Sequence, residues 1–286
     1  MNGQRLKPAP GLHFIATPIG ASRDITLRAL DILAGADVIA AEDTRTLRHL
    51  MEIHAIATGD RPVWSYHDHN GERVRPRILA ALAEGKSVVY ASEAGTPLVA
   101  DPGFQLARAA IAAGHPVTSA PGPSAVLAAL TVSGLPSDRF LFAGFPPAGA
   151  KQRRDWLAEL GAVPATLILY ESPKRLKKLL GDLVLVLGEE RRAAICRELT
   201  KRFEEVTRGT LAELAACLAD RPVRGEIVVV IDRAGEKAAD PQRVETALKE
   251  ALECHSTKDA VALVAKAQGV ARRQVYQIAL KLAAGD

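Results

Sequence analysis

An α/β fold of two lobes followed by a short helical unit is what this sequence of 286 residues predicts. Three observations carry the prediction. Short runs rich in β-branched and aromatic residues, without helical period, alternate with segments whose apolar residues recur every three to four positions, which is the pattern of strand–helix–strand units. Several of these runs stop in loops braced by proline and small residues, as at Ala16 to Gly20, Gly95 to Pro97 and Ser119 to Ser124. The chain is also long for one core, so two domains and an appendage are expected.

Leu12 to Ala16 reads as a first strand, and Asp24 to Leu33 as a helix from its apolar spacing, stopped by Gly35. Val38 to Ala41 is a second strand running into Glu42-Asp43-Thr44-Arg45, where Asp43 or Thr44 can cap a helix or serve chemistry. Val63 to Tyr66 is a third, leading to His67-Asp68-His69-Asn70; no third ligand follows at diagnostic spacing, so a polar loop is expected there and no metal. Ser87 to Ala91 is a fourth, buried and parallel.

The stretch after it, SEAGTPLVADPGF, breaks the chain with Gly95, Pro97, Pro102 and Gly103. A shaped loop at the carboxyl end of a parallel strand is where α/β sheets place ligands. A proline-braced loop recurs at Ser119 to Ser124 and is followed by a small-residue helix, Ala125 to Val132, suited to close packing. Three such loops make a ligand cleft the favoured reading over three connectors.

Ser133 to Ser137 reads as a hinge between a first domain over 1–132 and a second over 138–234. The second holds strands at Phe140 to Ala143, Thr166 to Tyr170, Ala193 to Leu199, Glu204 to Arg208 and Glu226 to Ile231, with a helix from Leu211 to Leu218. Short helices and possible hairpins point to a mixed sheet. Lys151-Gln152-Arg153-Arg154 opens a helix with cations that oppose its macrodipole, so they are expected to serve a ligand. Beyond a polar linker, Gly235 to Asp240, three helices fill 241–286, with a tight turn at Gly269-Val270; the spacing fits a helix-turn-helix or a plain packing module.

Composition bounds the function. The chain is 48% hydrophobic, 4% aromatic and 24% charged, an ordinary globular mixture. No apolar run approaches the roughly 20 residues that span a bilayer. The N-terminus lacks the apolar core of a secretory signal, and Cys196, Cys217 and Cys254 are unpaired in spacing, so a reducing cytoplasm is expected. The net charge of +4 is uneven: residues 1–150 carry 13 basic and 13 acidic side chains, residues 151–286 carry 24 and 20. An anionic partner on the second half is compatible with this. Neither a dinucleotide glycine fingerprint nor a P-loop is present, since Gly85-Lys86-Ser87 precedes a strand and lacks the earlier glycine.

Taken in order, LHFIATPIG, AEDTRT, SEAGTPLVADPG, APGPSA, YESPKR and GEIVVV resemble the tetrapyrrole methylase superfamily, most closely its branch that methylates a cytidine 2′-oxygen of 16S ribosomal RNA. The resemblance covers Leu12 to Asp232; Glu93 and Lys174 stand where the family pattern has Asp and His. It implies an S-adenosylmethionine-dependent transferase and a homodimer of two-domain subunits, a parallel-sheet lobe and a mixed-sheet lobe, each subunit ending in a helix-turn-helix-like unit. It also implies the donor in the cleft at Pro18, Gly95, Thr96, Pro97, Val99, Ser124, Ala125, Tyr170, Glu226 and Ile227. A donor without phosphates suits a pocket of backbone groups, which agrees with the missing phosphate motifs.

For transfer to a ribose hydroxyl, a base is needed nearby, and Asp43 or Glu42 is the expected base, with Lys151 as a cation favouring the alkoxide. Arg45, Arg153, Arg154, Lys174 and Lys201 are expected to hold RNA phosphates, with the 16S RNA presented free or within the 30S subunit. The rivals are a methylase of tetrapyrroles or protein side chains, and a non-enzymatic RNA-binding factor using the C-terminal helices.

Overall fold

The computed structural model describes residues 7–234, 241–268 and 272–284; the expected linker over 235–240 and the turn at Gly269-Val270 lie outside the described residues. The first lobe comprises β1 (Gly11–Ile15), α1 (Leu27–Gly35), β2 (Val38–Ala41), α2 (Thr44–Ile53), β3 (Val63–Ser65), α3 (Gly71–Ala83), β4 (Ser87–Ala91), α4 (Phe104–Ala112) and β5 (Val117–Ala120). Its sheet runs β3-β2-β4-β1-β5, and every pairing is parallel, with Phe14 beside Tyr90 and Ala41 beside Ala91.

Alternation along these strands explains why they read as continuous apolar runs. Ile15, Ile39, Val89 and Ala91 face one layer of helices with α1 and α2, while Leu12, Phe14, Val38, Ala40, Val88 and Tyr90 face the other with α3 and α4. Helix α3 carries Pro76 within it, which weakens the local signal for a helix that tertiary packing nevertheless forms. Helix α1 begins later than its spacing suggests because Thr26 caps it, its hydroxyl accepting from Ala29 N–H at 3.2 Å.

Helix α5 (Ala125–Ser133) follows the first sheet, and the second lobe comprises β6 (Phe140–Gly144), α6 (Ala150–Gly161), β7 (Thr166–Glu171), α7 (Pro173–Leu187), β8 (Arg192–Arg197), β9 (Glu205–Thr210), α8 (Leu211–Leu218) and β10 (Ile227–Ile231). Its sheet runs β6-β7-β10-β8-β9 and is mixed: β6 and β7 are parallel, the rest antiparallel, and β8 and β9 form a hairpin. Leu167, Leu169, Ile195, Val229 and Ile231 pack with residues of α6, α7 and α8. The opposite face, Ile168, Ala194, Cys196, Val228 and Val230, packs on Val126, Ala129 and Leu130 of α5, together with Ile19 of the first lobe. Small residues on α5 allow that approach, and this contact joins the lobes.

Three further helices, α9 (Pro241–Leu252), α10 (Thr257–Gln268) and α11 (Arg272–Ala284), share a separate core of Val244, Leu248, Val261, Val264 and Val275.

Candidate active site

The three proline-braced loops meet. The loop after β1 and the loop after β4 exchange two backbone hydrogen bonds, Thr17 N–H to Gly95 O at 3.0 Å and Gly95 N–H to Thr17 O at 2.9 Å. The Thr96 hydroxyl donates to Pro123 O in the loop after β5 at 2.8 Å, and those of Ser92 and Thr17 donate to Gly95 O and Ser92 O. Gly95 sits at φ +81°, and a Cβ there would stand 3.3 Å from Ile19 Cγ2 in a conformation that L side chains rarely adopt. These bonds make a fixed wall of main-chain groups at the carboxyl edge of the first sheet.

A cavity of about 480 Å³ opens between that wall and the second lobe. The first lobe contributes Ile19, residues 93–96, Val99, Ala100 and Asp101; Ser124 and Ala125 form the junction; Tyr170 to Pro173, Cys196 and residues 225–228 stand opposite. Phe145 forms an exposed lip, edge-on to Tyr170 at 5.6 Å. Its loop is clamped from behind, because Arg175 donates to the carbonyls of Pro146 and Pro147, and Arg153 to those of Pro147 and Ala148.

Eight expected cofactor positions line this cavity: Gly95, Thr96, Val99, Ser124, Ala125, Tyr170, Glu226 and Ile227. Pro18 and Pro97 are not among the lining residues; Pro97 is buried, and both belong to the loops that shape the wall. Among the described residues the lining includes no Lys, Arg or His. A pocket of backbone amides, small side chains and carboxylates fits a neutral or cationic ligand better than a phosphate.

The expected catalytic and RNA-contacting residues fare differently. Asp43 caps α2, accepting from Arg45 N–H at 2.7 Å and Thr46 N–H at 3.3 Å, and those hydrogen bonds hold its carboxyl below the usual range. It does not line the cavity, so the cap reading of that residue is the one its contacts support. Glu42 stands behind the wall, its Oε2 accepting from Glu93 N–H at 3.2 Å. Lys151 is exposed at the start of α6, outside the lining.

Arg153 corrects the expectation that its cation serves a phosphate. Its side chain is only 6% exposed, with Nη2 at 2.6 Å and Nε at 2.7 Å from Asp182 Oδ2, and its remaining donors hold the Phe145 loop. Its charge is matched inside the protein. Arg154 lies 4.0 Å from the other Asp182 oxygen and remains half-exposed. Arg45 and Lys174 are exposed, whereas Lys201 is bridged to Glu198 at 3.0 Å and Glu226 at 3.1 Å.

One functional candidate escaped the sequence reading. Asp101 lines the cavity, and burial, followed by the charge of Glu42 and then of Glu93, pushes its carboxyl up to about 7; the hydroxyl of Ser92 pulls the other way. Burial, with the Asp101 charge next, likewise pushes the Tyr170 hydroxyl up to about 12. The signal in the sequence was the ADPG segment itself, but nothing local says that Glu42, 59 positions earlier, stands nearby.

Residues 11–215 match the tetrapyrrole (corrin/porphyrin) methylases, and residues 238–283 match the RsmI C-terminal HTH domain. The chain is 49% identical to ribosomal RNA small subunit methyltransferase I of Mesorhizobium japonicum over 99% of this chain and 97% of that one. It is 41% identical to the protein of the same name from Escherichia coli O157:H7, over 94% of each. A uroporphyrin-III C-methyltransferase from Thermus thermophilus, solved with S-adenyl homocysteine, shares the fold with a TM-score of 0.54 at 19% identity, covering 78% of this chain and 98% of that one.

Proposed function

The chain belongs to the tetrapyrrole methylase family, in its branch of small-subunit ribosomal RNA methyltransferases, and from that premise we propose that it methylates a cytidine ribose 2′-oxygen in the decoding region of 16S ribosomal RNA. The donor is S-adenosylmethionine, which supplies an activated methyl group on a sulfonium. The acceptor is presented within the assembled small subunit, and the working enzyme is a homodimer.

The observation that carries this reading is the cavity between the lobes. Its main-chain wall at Gly95 and Thr96, the small residues Ser124 and Ala125, and the facing backbone at Glu226 and Ile227 offer hydrogen-bonding groups to a nucleoside and an amino acid moiety without a cationic nest. A methyl transfer is an in-line displacement, so most of the rate comes from holding donor and acceptor at about 3 to 3.5 Å on one axis. The loop bonds of Thr17, Ser92 and Thr96 fix one side of that axis, and the clamped Phe145 loop borders the entrance. Arg45, Arg154 and Lys174, exposed around the two lobes, supply phosphate contacts that position RNA, and the C-terminal helices extend the footprint.

Labelled S-adenosylmethionine incubated with small subunits lacking the modification tests this. Expected is one nuclease-resistant 2′-O-methylcytidine linkage, with subunit affinity falling steeply with salt as phosphate contacts release counterions. Label on a base, on protein, or only in an added tetrapyrrole would refute it.

A further inference from the structure

We propose that the tip of the β8–β9 hairpin is a base-stacking contact for RNA, in which the Phe203 ring takes an unpaired nucleobase beside the acceptor nucleotide and Arg202 takes the adjoining phosphate. The proposal deepens the reading above and rests on RNA being the acceptor.

The tip borders the cavity. Leu199, at its start, and Glu226, which Lys201 meets at 3.1 Å, both line the space between the lobes. The tip is also docked on the first lobe: Ala21 N–H donates to Thr200 Oγ1 at 3.1 Å, and a Cβ on Gly20 would stand 2.5 Å from Lys201 Cγ.

Its backbone is held in place. Glu198 at φ +51° and Thr200 at φ +63° both adopt the left-handed region without being glycine. Strain of that kind persists where surrounding contacts over-determine it. Here the contacts come from the acidic side chains of the tip, which are turned inward. Glu198 accepts from Glu226 N–H at 2.9 Å and from Lys201 at 3.0 Å, and Glu204 accepts from Thr200 N–H at 2.5 Å. Glu205, at the next position, is held by Arg197 and Arg221.

What remains facing outward is a cation and a ring. Arg197, Lys201 and Arg208 of the same hairpin are engaged with protein carboxylates or carbonyls. Arg202 is exposed and, among the described residues, makes no hydrogen bond or ion pair; its guanidinium carbon lies 5.5 Å from the centre of the Phe203 ring. Phe203 itself is 64% exposed. A lone surface phenylalanine needs no explanation, but this one is fixed by a strained turn and set beside a transferase cavity.

The chemistry of the tip fits single-stranded RNA, whose bases stack on aromatic rings while arginines meet the phosphates. A ribose hydroxyl reaches a cavity between two lobes when its nucleotide leaves the stack, which strips the neighbouring base of a partner; the Phe203 ring replaces that partner. One turn of hairpin is far too small to make a stable subunit interface by itself.

The test uses the full chain with labelled S-adenosylmethionine and unmodified small subunits. Phe203→Ala is expected to raise the KM for subunits about 5- to 150-fold, the range that loss of one stacked base implies. Its S-adenosylmethionine affinity by calorimetry, its melting temperature and its sedimentation coefficient are expected to match the wild type. Phe203→Tyr is expected to stay within about threefold of wild type, whereas Phe203→Leu, apolar but without a ring, behaves as the alanine variant. Arg202→Ala is expected to lower the slope of log affinity against log salt by about 0.7 to 0.9, one phosphate contact, a slope that Phe203→Ala leaves unchanged. An alanine variant with wild-type subunit KM, a leucine variant that restores it, or an alanine variant with altered sedimentation overturns the assignment; the last gives the ring to a contact between copies of the chain. A wild-type enzyme that binds small subunits yet labels no ribose overturns the acceptor reading instead, with the role of Phe203 still read from subunit affinity.

Discussion

The first sheet is covered on both faces by helices of its own lobe, whereas the second covers one face with α6, α7 and α8 and lends the other to α5. The difference sets what each side of the cavity can do. The first lobe is finished without the second, so its loops are free to be shaped by bonds among themselves and carry the strained Leu98-to-Asp101 segment. The second lobe grips: its contribution is the docking of α5 and two arginines holding the Phe145 loop.

Four measurements break or sharpen this contrast. The largest effect is expected on the gripping side. Arg153→Ala leaves the Asp182 carboxylate, 14% exposed, without its main partner, frees the carbonyl of Ala148 and leaves that of Pro147 to Arg175 alone. Loss of a buried ion-pair partner costs about 3 to 5 kcal/mol, to be read from urea unfolding. If the variant unfolds like the wild type, the clamp is not what holds that loop.

Next comes Asp101→Asn on the first-lobe wall of the cavity, where stability is expected to rise. The folded-state pKa of about 7 lies above the ordinary 3.8, so wild-type stability present below pH 4 is lost as pH rises through 7. At pH 8 the Asn variant is expected to be more stable by about 2 to 4 kcal/mol, with the advantage vanishing toward pH 4. A variant less stable at pH 8 would remove the claim that this wall stores an unfavourable charge.

A smaller effect is expected from Thr96→Val, which keeps shape and deletes the donor to Pro123 O. About 1 kcal/mol of stability is expected to go, together with tighter coupling between the loops, seen as weaker S-adenosylmethionine binding by calorimetry. The smallest effect on turnover is expected from Asp43→Ala. It removes the α2 cap and lowers the melting temperature, yet kcat changes by less than about threefold. A collapse of kcat would return Asp43 to the chemistry.

Much of the architecture was legible because it follows from local pattern. Val38 to Ala41 and Ser87 to Ala91 read as strands and form them, and the strand expected over Leu12 to Ala16 forms one residue earlier, at Gly11–Ile15, since both faces of a parallel sheet demand continuous apolar runs. The loops at Gly20, Gly95 and Ser124 announced a cleft through their prolines and glycines, and eight of the donor positions implied by family resemblance line it. Arg153 was misread because a cation in a first helical turn looks unpartnered until Asp182, on another helix, is placed beside it. Asp101 was passed over because its side chain is ordinary in isolation.

What the sequence alone determined, then, is where strands, helices and shaped loops begin and end, because period and backbone preference are properties of neighbouring residues. Which carboxylate is shielded from water, which arginine is neutralised and which helix closes the second sheet were decided only by tertiary structure. Desolvation and Coulomb interactions depend on groups brought close from distant positions, as Glu42 is to Asp101 and Asp182 is to Arg153.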